Sequence, residues 1–409
     1  MQDGLYTYIN ANFTGILSHD KTGGVEFMYD ENAQYPLSLS LPVKKEKYLD
    51  KECSGFFNGL LPEGDSIRKY IAKKYATNPN NDFAILKAIG YDCAGAVSFL
   101  KSKRNNLKEF YEIEGEILDN KKLEKLILEL PQKPLGVGAK DLKLSLAGAQ
   151  NKTAVLMIDN KIALPAKSTP TSHILKPQIK NYKESIENEY ICMKSAQKAG
   201  IKTADVEIRK ANETKFLLIT RYDRIIEEGK IKRIHQEDFC QAKNIKSAFK
   251  YEQDGGIGYR DCFEILRKTT NPANNIKEFA NLMIFNFLIG NNDAHGKNYS
   301  LIYRDNNIEL APAYDILCSQ VYPKISKRMA MKIDKYYRFS DITFKHFKNL
   351  CDSCDISYPY FKKLLLKQAE TLPDIVSEVA KSFENTIGKS IVKAVQKNCN
   401  RMIKLSQEG

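Results

Sequence analysis

An almost wholly apolar run, Phe279 to Ile289, predicts a buried helix that breaks at Gly290-Asn291-Asn292. Beyond the break lie a polar hexapeptide, Asp293-Ala-His-Gly-Lys-Asn298, and two short strands about the turn Arg304-Asp-Asn-Asn307, ending at Tyr314-Asp315-Ile316. Toward the N-terminus the pattern differs. Residues 1–100 alternate β-like runs (Tyr6–Ile9, Val25–Tyr29, Ser38–Pro42, Gly95–Leu100) with helical stretches over Phe56–Leu61, Ser66–Tyr75 and Asp82–Ile89. Ser66 is the expected N-cap of the second helix, and Gly90 stops the third. Leu123, Leu126, Ile127 and Leu130 fall at i, i+3, i+4 and i+7, so Lys121–Leu130 reads as an amphipathic helix ended by Pro131. A β-rich stretch follows: Leu142–Leu146, Thr153–Ile158, Lys161–Leu164, His173–Lys176, Val206–Lys210 and Phe216–Arg221, interrupted by a helix over Ile186–Ala199. After Asp223 the chain reads as mostly helical, with helices near Arg260–Arg267, Phe344–Leu350, Tyr360–Glu370 and Pro373–Phe383. The expected fold class is α+β, divided into a small α+β subdomain over 1–104, a β-rich lobe over 105–222 and a helical lobe over 223–409.

Composition narrows the class. With 409 residues, 43% hydrophobic and 28% charged, the chain has ample core for roughly two to three domains at about 150 residues each. No run reaches the ~18 apolar residues of a membrane helix, since Asn286 interrupts the best candidate, and the start MQDGLYTYINANF has no export-signal pattern. Nine scattered cysteines suit reduced thiols, so the expectation is a cytoplasmic protein without membrane contact. The single CxxC, Cys351 to Cys354, lacks a second ligand pair and reads as structural. A net charge of +13 admits nucleic acid or an acidic partner, although the lysines are spread along the whole chain.

The chemistry concentrates around Asp293. Eukaryotic-type kinases space their catalytic loop as an Asp, four residues and an Asn, with a metal-binding Asp after a hairpin; Asp293, Asn298 and Asp315 repeat that spacing. The His-Arg and Phe-Gly that flank those acids in such kinases are absent. In this scheme Asp293 accepts the proton of an attacking hydroxyl, and Asn298 and Asp315 offer the hard oxygen ligands that Mg²⁺ favours. Upstream, Ser145-Leu-Ala-Gly-Ala-Gln-Asn-Lys152 joins two β-like runs through a small-residue loop suited to phosphate, yet it is no Walker A loop. Lys176 ends an apolar strand and has Glu189 thirteen positions later as a possible partner, the alternative being two solvated surface charges. Thr220-Arg221-Tyr222-Asp223 stands where a kinase hinge would contact adenine, an assignment by position alone. Zinc hydrolysis and serine hydrolysis are excluded, because no His-x-x-x-His and no Gly-x-Ser-x-Gly occurs.

Together these residues resemble the HipA family, the serine/threonine kinase toxins of bacterial toxin–antitoxin modules. The resemblance covers nearly the whole chain: Phe56 to Pro62, Gly95-Ala-Val97, Ser145 to Gln150 with Lys152-Thr153, Thr169 to Lys176, Asn188-Glu-Tyr190, Arg221-Tyr-Asp-Arg224, His235-Gln-Glu-Asp238, Tyr251 to Gly256, Asp293 to Asn298 and Tyr314-Asp-Ile316. It implies a two-lobed protein-kinase-like core with a small N-terminal subdomain, using ATP and Mg²⁺. It implies Asp293 as catalytic base and Asn298 and Asp315 as metal ligands. ATP contacts are expected from Ala147, Gly148, Ala149, Gln150, Lys152, Lys176, Arg221, Tyr222, Asp223, His295 and Lys297, with Glu189 as the lysine's partner. Ser145 matches a loop serine that such kinases autophosphorylate, which would expel the loop by charge repulsion. The implied partners are a helix-turn-helix HipB-like antitoxin, operator DNA reached mainly through that antitoxin, and a protein substrate of the aminoacyl-tRNA synthetase class. Two rivals remain at this point: a small-molecule or lipid kinase on the same core, and a DNA-binding corepressor.

Overall fold

The computed structural model describes residues 4–104, 110–136, 145–148, 150–166, 169–383 and 386–408. They form two compact units: Met1–Pro177 with Arg209–Ala248 and Ile302–Asp305, and Gln178–Ile208 with Phe249–Leu301 and Asn306–Gly409.

The first unit contains two sheets. A four-stranded antiparallel sheet runs in the order Val25–Tyr29, Asn12–His19, Leu5–Ile9, Val97–Leu100. Helices Asp50–Gly59, Asp65–Tyr75 and Asp82–Ile89 supply its apolar cover, and Phe27, Phe56, Phe57, Leu86 and Val97 lie in one buried cluster. The second sheet runs Gly115–Ile117, Lys161–Pro165, Thr153–Ile158, His173–Pro177, Thr214–Thr220, with Val206–Ala211 at its far edge. The Asn120–Glu129 helix lays Leu123 and Ile127 against Val155, Leu175, Phe216 and Leu218 of this sheet. Leu146 and Ala154 belong to the same cluster as Phe56 and Phe57. One continuous core therefore unites the N-terminal segment with the strand-rich middle of the chain.

A second bond between those segments is ionic. Asp92 and Asp223 are surrounded by Arg221, Arg224 and Arg233, with no side chain in the group more than 3% exposed. Burial by itself would raise the Asp92 pKa, but the neighbouring guanidinium groups of Arg224, Arg221 and Arg233 hold it below the usual carboxylate range. Burial pushes Arg224 down, to about 10.

Helices dominate the second unit: Ser185–Lys198, Tyr259–Arg267, Pro272–Ile289, Phe344–Ser353, Tyr358–Ala380 and Thr386–Gln407. The Tyr358–Ala380 helix packs against Ser185–Lys198, Pro272–Ile289 and Thr386–Gln407. Among the described residues, no helix is long and apolar enough to cross a membrane.

Several expectations from the sequence are corrected. Ser66 is no N-cap; Gly64 holds that position at φ 90°, and Asp65 faces the positive end of the helix dipole. Ser38–Pro42 is no strand. It is a tight turn, in which Leu41 N–H donates to the Ser38 carbonyl at 3.0 Å and Leu39 N–H to Glu237 Oε1 at 2.9 Å. The predicted Leu142–Leu146 strand lies largely outside the described residues, and Ser145 and Leu146 are not in a strand. The chain beyond Asp223 is not simply helical. Arg224–Glu227 and Lys230–Arg233 form a hairpin whose two linking residues, Glu228 and Gly229, have φ of 49° and 69°. That pair of positive values gives the turn the twist a two-residue hairpin needs. Arg328–Ile333 and Tyr336–Arg338 form another hairpin. Pro373 does not break its helix, because Leu365, Ala369, Leu372, Val376 and Ala380 keep one buried stripe through it. That burial outweighs the ~3 kcal/mol a proline costs inside a helix.

Candidate active site

The Asp293 loop begins where Pro272–Ile289 ends. Gly290 closes the helix at φ 81°, a left-handed conformation that favours glycine. Three amides then set the loop. Asn286, the polar interruption in the apolar helix, donates to the Tyr299 hydroxyl at 3.2 Å and accepts from Asn291 Nδ2 at 2.9 Å. Asn291 Oδ1 in turn accepts the Asp293 N–H at 3.1 Å. Asn292 is clamped as well: its N–H donates to Ser319 Oγ at 2.7 Å, and its carbonyl accepts from Ala330 N–H at 2.8 Å.

Within the hexapeptide, the Asp293 carbonyl accepts the His295 N–H at 2.8 Å and Asn298 Nδ2 at 2.9 Å. The Asn298 NH₂ is thereby committed to the loop, which leaves its amide oxygen as the group that can ligate a cation. Asp315 holds φ 58°, a left-handed conformation that Asp tolerates better than most residues and that recurs where function fixes the backbone. Its neighbour Tyr314 donates its hydroxyl to the Lys297 carbonyl at 2.7 Å and lies 2.7 Å from Ser300 Oγ. A single side chain thus straps the segment carrying Asp315 to the segment carrying Asn298. Two strands, Ser300–Arg304 and Asn307–Leu310, run between them, joined by Asp305 and Asn306 at φ 49° and 64°. The donors offered by Asn298 and Asp315 are hard oxygens, which fit Mg²⁺ in chemistry. Among the described residues, no group of three or more His, Cys, Asp or Glu side chains could hold a metal ion. His295 and Lys297 are buried, and the His295 ring meets the Tyr251 ring edge-on at 5.2 Å.

The small-residue loop lies in the first unit. Ser145 is fully buried: its hydroxyl donates to the Leu60 carbonyl at 2.7 Å and its N–H to the Asp92 carbonyl at 3.0 Å. Gly148 bridges to Pro62, and its carbonyl accepts the Glu63 N–H at 3.2 Å. Gly148 has φ 101°, and a Cβ there would fall 2.6 Å from Lys152 Nζ, so the Lys152 ammonium lies against bare backbone. Ala147 and Gln150 flank this glycine outside any strand, whereas Ala149 lies outside the described residues. Lys176 sits in the His173–Pro177 strand at 5% exposure. Glu189, in the Ser185–Lys198 helix of the other unit, is 3% exposed. Neither is a solvated surface charge.

Arg221 and Asp223 belong to the buried Asp92 cluster. Arg221 donates Nε and Nη2 to Asp223, Nη1 to Thr171 Oγ1 and Nη2 to the Cys93 carbonyl, while Asp223 Oδ2 also accepts the Gly95 N–H. These bonds give both side chains a structural role in the cluster, beside the nucleotide contact expected of them from the sequence. Tyr222 hydrogen-bonds Gln236. The CxxC cysteines are free and buried, and burial pushes the Cys351 thiol up to about 12. Sequence reasoning missed the Asn286–Asn291 relay and the Asp92 cluster. Asn286 carried a signal, since an amide inside an apolar helix has to find a partner.

A family model described as HipA-like C-terminal domain matches residues 144–387, and one described as HipA N-terminal domain matches residues 5–100. Protein Y4mE of Sinorhizobium fredii (strain NBRC 101917 / NGR234) is 36% identical over 384 residues, covering 92% of this chain and 91% of that one. The serine/threonine-protein kinase toxin HipA of Shewanella oneidensis is 27% identical over 390 residues, covering 89% and 86%. A chain from the solved complex of Shewanella oneidensis MR-1 HipA, HipB and operator DNA superposes with a TM-score of 0.86 at 25% identity, covering 99% of this chain and 98% of that one. With both family domains matched in order, the chain belongs to the HipA family and is an enzyme of the serine/threonine-protein kinase class.

Proposed function

We propose that this chain is an ATP- and Mg²⁺-dependent protein kinase toxin that arrests growth by phosphorylating serine or threonine on a cellular protein. The observation that carries the reading is the braced Asp293–Asn298 loop strapped through Tyr314 to Asp315, in a chain that follows the Shewanella HipA fold over 99% of its length. Asp293 accepts the proton of the attacking hydroxyl, a contribution of typically ~10²–10⁴-fold. Asn298 and Asp315 would hold the metal through their oxygens, and the family resemblance supports Lys152, Lys176 and the backbone around Gly148 as phosphate contacts. Bound Mg²⁺ supplies charge neutralisation on the phosphoryl group.

Ser145 is the proposed autophosphorylation site. Its burial and its donation to the Leu60 carbonyl support an off-switch, because a phosphate of about −2 charge cannot occupy that position and the loop has to leave. The HipB and operator DNA assembled with the Shewanella protein support a HipB-like antitoxin for this chain, with DNA reached through it. The family resemblance supports an aminoacyl-tRNA synthetase as target. Expression of Asp293→Ala in cells tests the reading: growth arrest and Ser145 phosphate disappear while antitoxin co-purification persists. Growth arrest by Asp293→Ala would refute it.

A further inference from the structure

Tyr251 belongs to a motif, Tyr251 to Gly256, to which the reaction as described assigns no role. Its hydroxyl donates to Asp293 Oδ1 at 2.7 Å. This contact is built on both sides. Gly256 N–H returns to the Tyr251 carbonyl at 3.0 Å, closing a tight turn through Gly255 at φ 93°. A Cβ on Gly256 would fall 2.1 Å from the Phe249 carbonyl oxygen, so the turn admits no larger residue. Glu252, next to the tyrosine, accepts the Lys332 N–H at 2.7 Å and pairs with its ammonium at 3.1 Å. Asn292, next to Asp293, accepts the Ala330 N–H at 2.8 Å. The chain neighbours of both members of the pair are thus hung on one strand, Arg328–Ile333, at positions two residues apart. The edge-on packing of the Tyr251 ring against His295 sets the remaining freedom of the phenol.

We infer that Tyr251 is the positioning residue of the catalytic base: its hydroxyl fixes the orientation of the Asp293 carboxylate toward the approaching substrate hydroxyl. The inference rests on the assignment of Asp293 as base. A phenol donating to a carboxylate is a charge-assisted hydrogen bond, about twice as strong as a neutral one. It holds one carboxylate oxygen in place while the reacting hydroxyl approaches the other.

The test is Tyr251→Phe in the full chain, with kcat and KM for phosphate transfer from ATP measured separately. Loss of a hydrogen bond to a charged group predicts kcat roughly ten-fold lower. KM for ATP stays unchanged, so the loss falls on kcat alone. A melting temperature close to that of the parent shows that the effect is not unfolding, whereas an effect through folding alone would lower it. An unchanged kcat would overturn the proposal. A rise in kcat would overturn it too, marking the phenol as a plug in the acceptor's position. Asp293→Ala run in parallel separates the two failures: if it is inactive while Tyr251→Phe is normal, only the tyrosine's role fails. If Asp293→Ala still transfers phosphate, the base assignment itself is wrong and this proposal falls with it.

Discussion

Asp92→Asn tests the structural role of the ionic cluster that holds Arg221 and Asp223. The Asp92 carboxylate is 1% exposed and accepts from Thr171 N–H at 3.0 Å, Thr171 Oγ1 at 2.6 Å, Arg224 Nη2 at 2.9 Å and Arg233 Nε at 3.2 Å. Three guanidinium groups face two carboxylates, a net charge of +1; the substitution leaves three against one, or +2. Removing one partner from a buried ion pair costs ~3–5 kcal/mol, and Coulomb's law at an effective dielectric near 20 gives about 4 kcal/mol for charges ~4 Å apart. The two routes agree on a loss of about 4 kcal/mol in the first unit. The chain has no tryptophan, so native-state hydrogen exchange read by mass spectrometry is the suitable assay. Amides in the Val97–Leu100, Arg224–Glu227 and Lys230–Arg233 strands should lose protection by about three orders of magnitude, while those of Tyr358–Ala380 stay as in the parent. A change of less than ~1 kcal/mol in those strands would refute the reasoning.

Glu237 is a second buried carboxyl, hydrogen-bonded by Ser38, Leu39 N–H and Tyr303, and burial pushes its pKa from 4.5 up to about 7. Because the folded value lies above the unfolded one, its stability contribution is full below about 4.5 and is lost as pH rises through about 7, a span of roughly 3 kcal/mol. Glu237→Gln should therefore flatten the fall in melting temperature between pH 5 and pH 8; an unchanged slope would contradict the assignment. Gly148→Ala, placed at φ 101° against Lys152, should raise KM for ATP several-fold with a stability loss of ~1–2 kcal/mol, and a normal KM would remove that loop from the phosphate site.

Periodicity carried much of the fold. Thr153–Ile158, His173–Pro177, Asp82–Ile89 and the C-terminal half of Pro272–Ile289 were legible because each buries a regular apolar face. The hairpin at Arg224–Arg233 was not, since its sequence is dense in charge and its strand character comes from positive φ at Glu228 and Gly229. Pro373 misled because local propensity was given more weight than a stripe of burial running through it. At the site, the spacing of Asp293, Asn298 and Asp315 was visible as a pattern. What holds the first two in place, Asn286 and Asn291, was visible only as residue types. The Asp92 cluster was invisible, because its partners lie 79 to 141 residues away and no local rule brings them together.

The most direct test of the account is phosphate transfer by the purified chain. With radiolabelled ATP and Mg²⁺, the parent protein should incorporate label at Ser145, and Asp293→Ala should incorporate none while keeping the parent's melting temperature. Equal labelling of Asp293→Ala and parent would contradict the central claim.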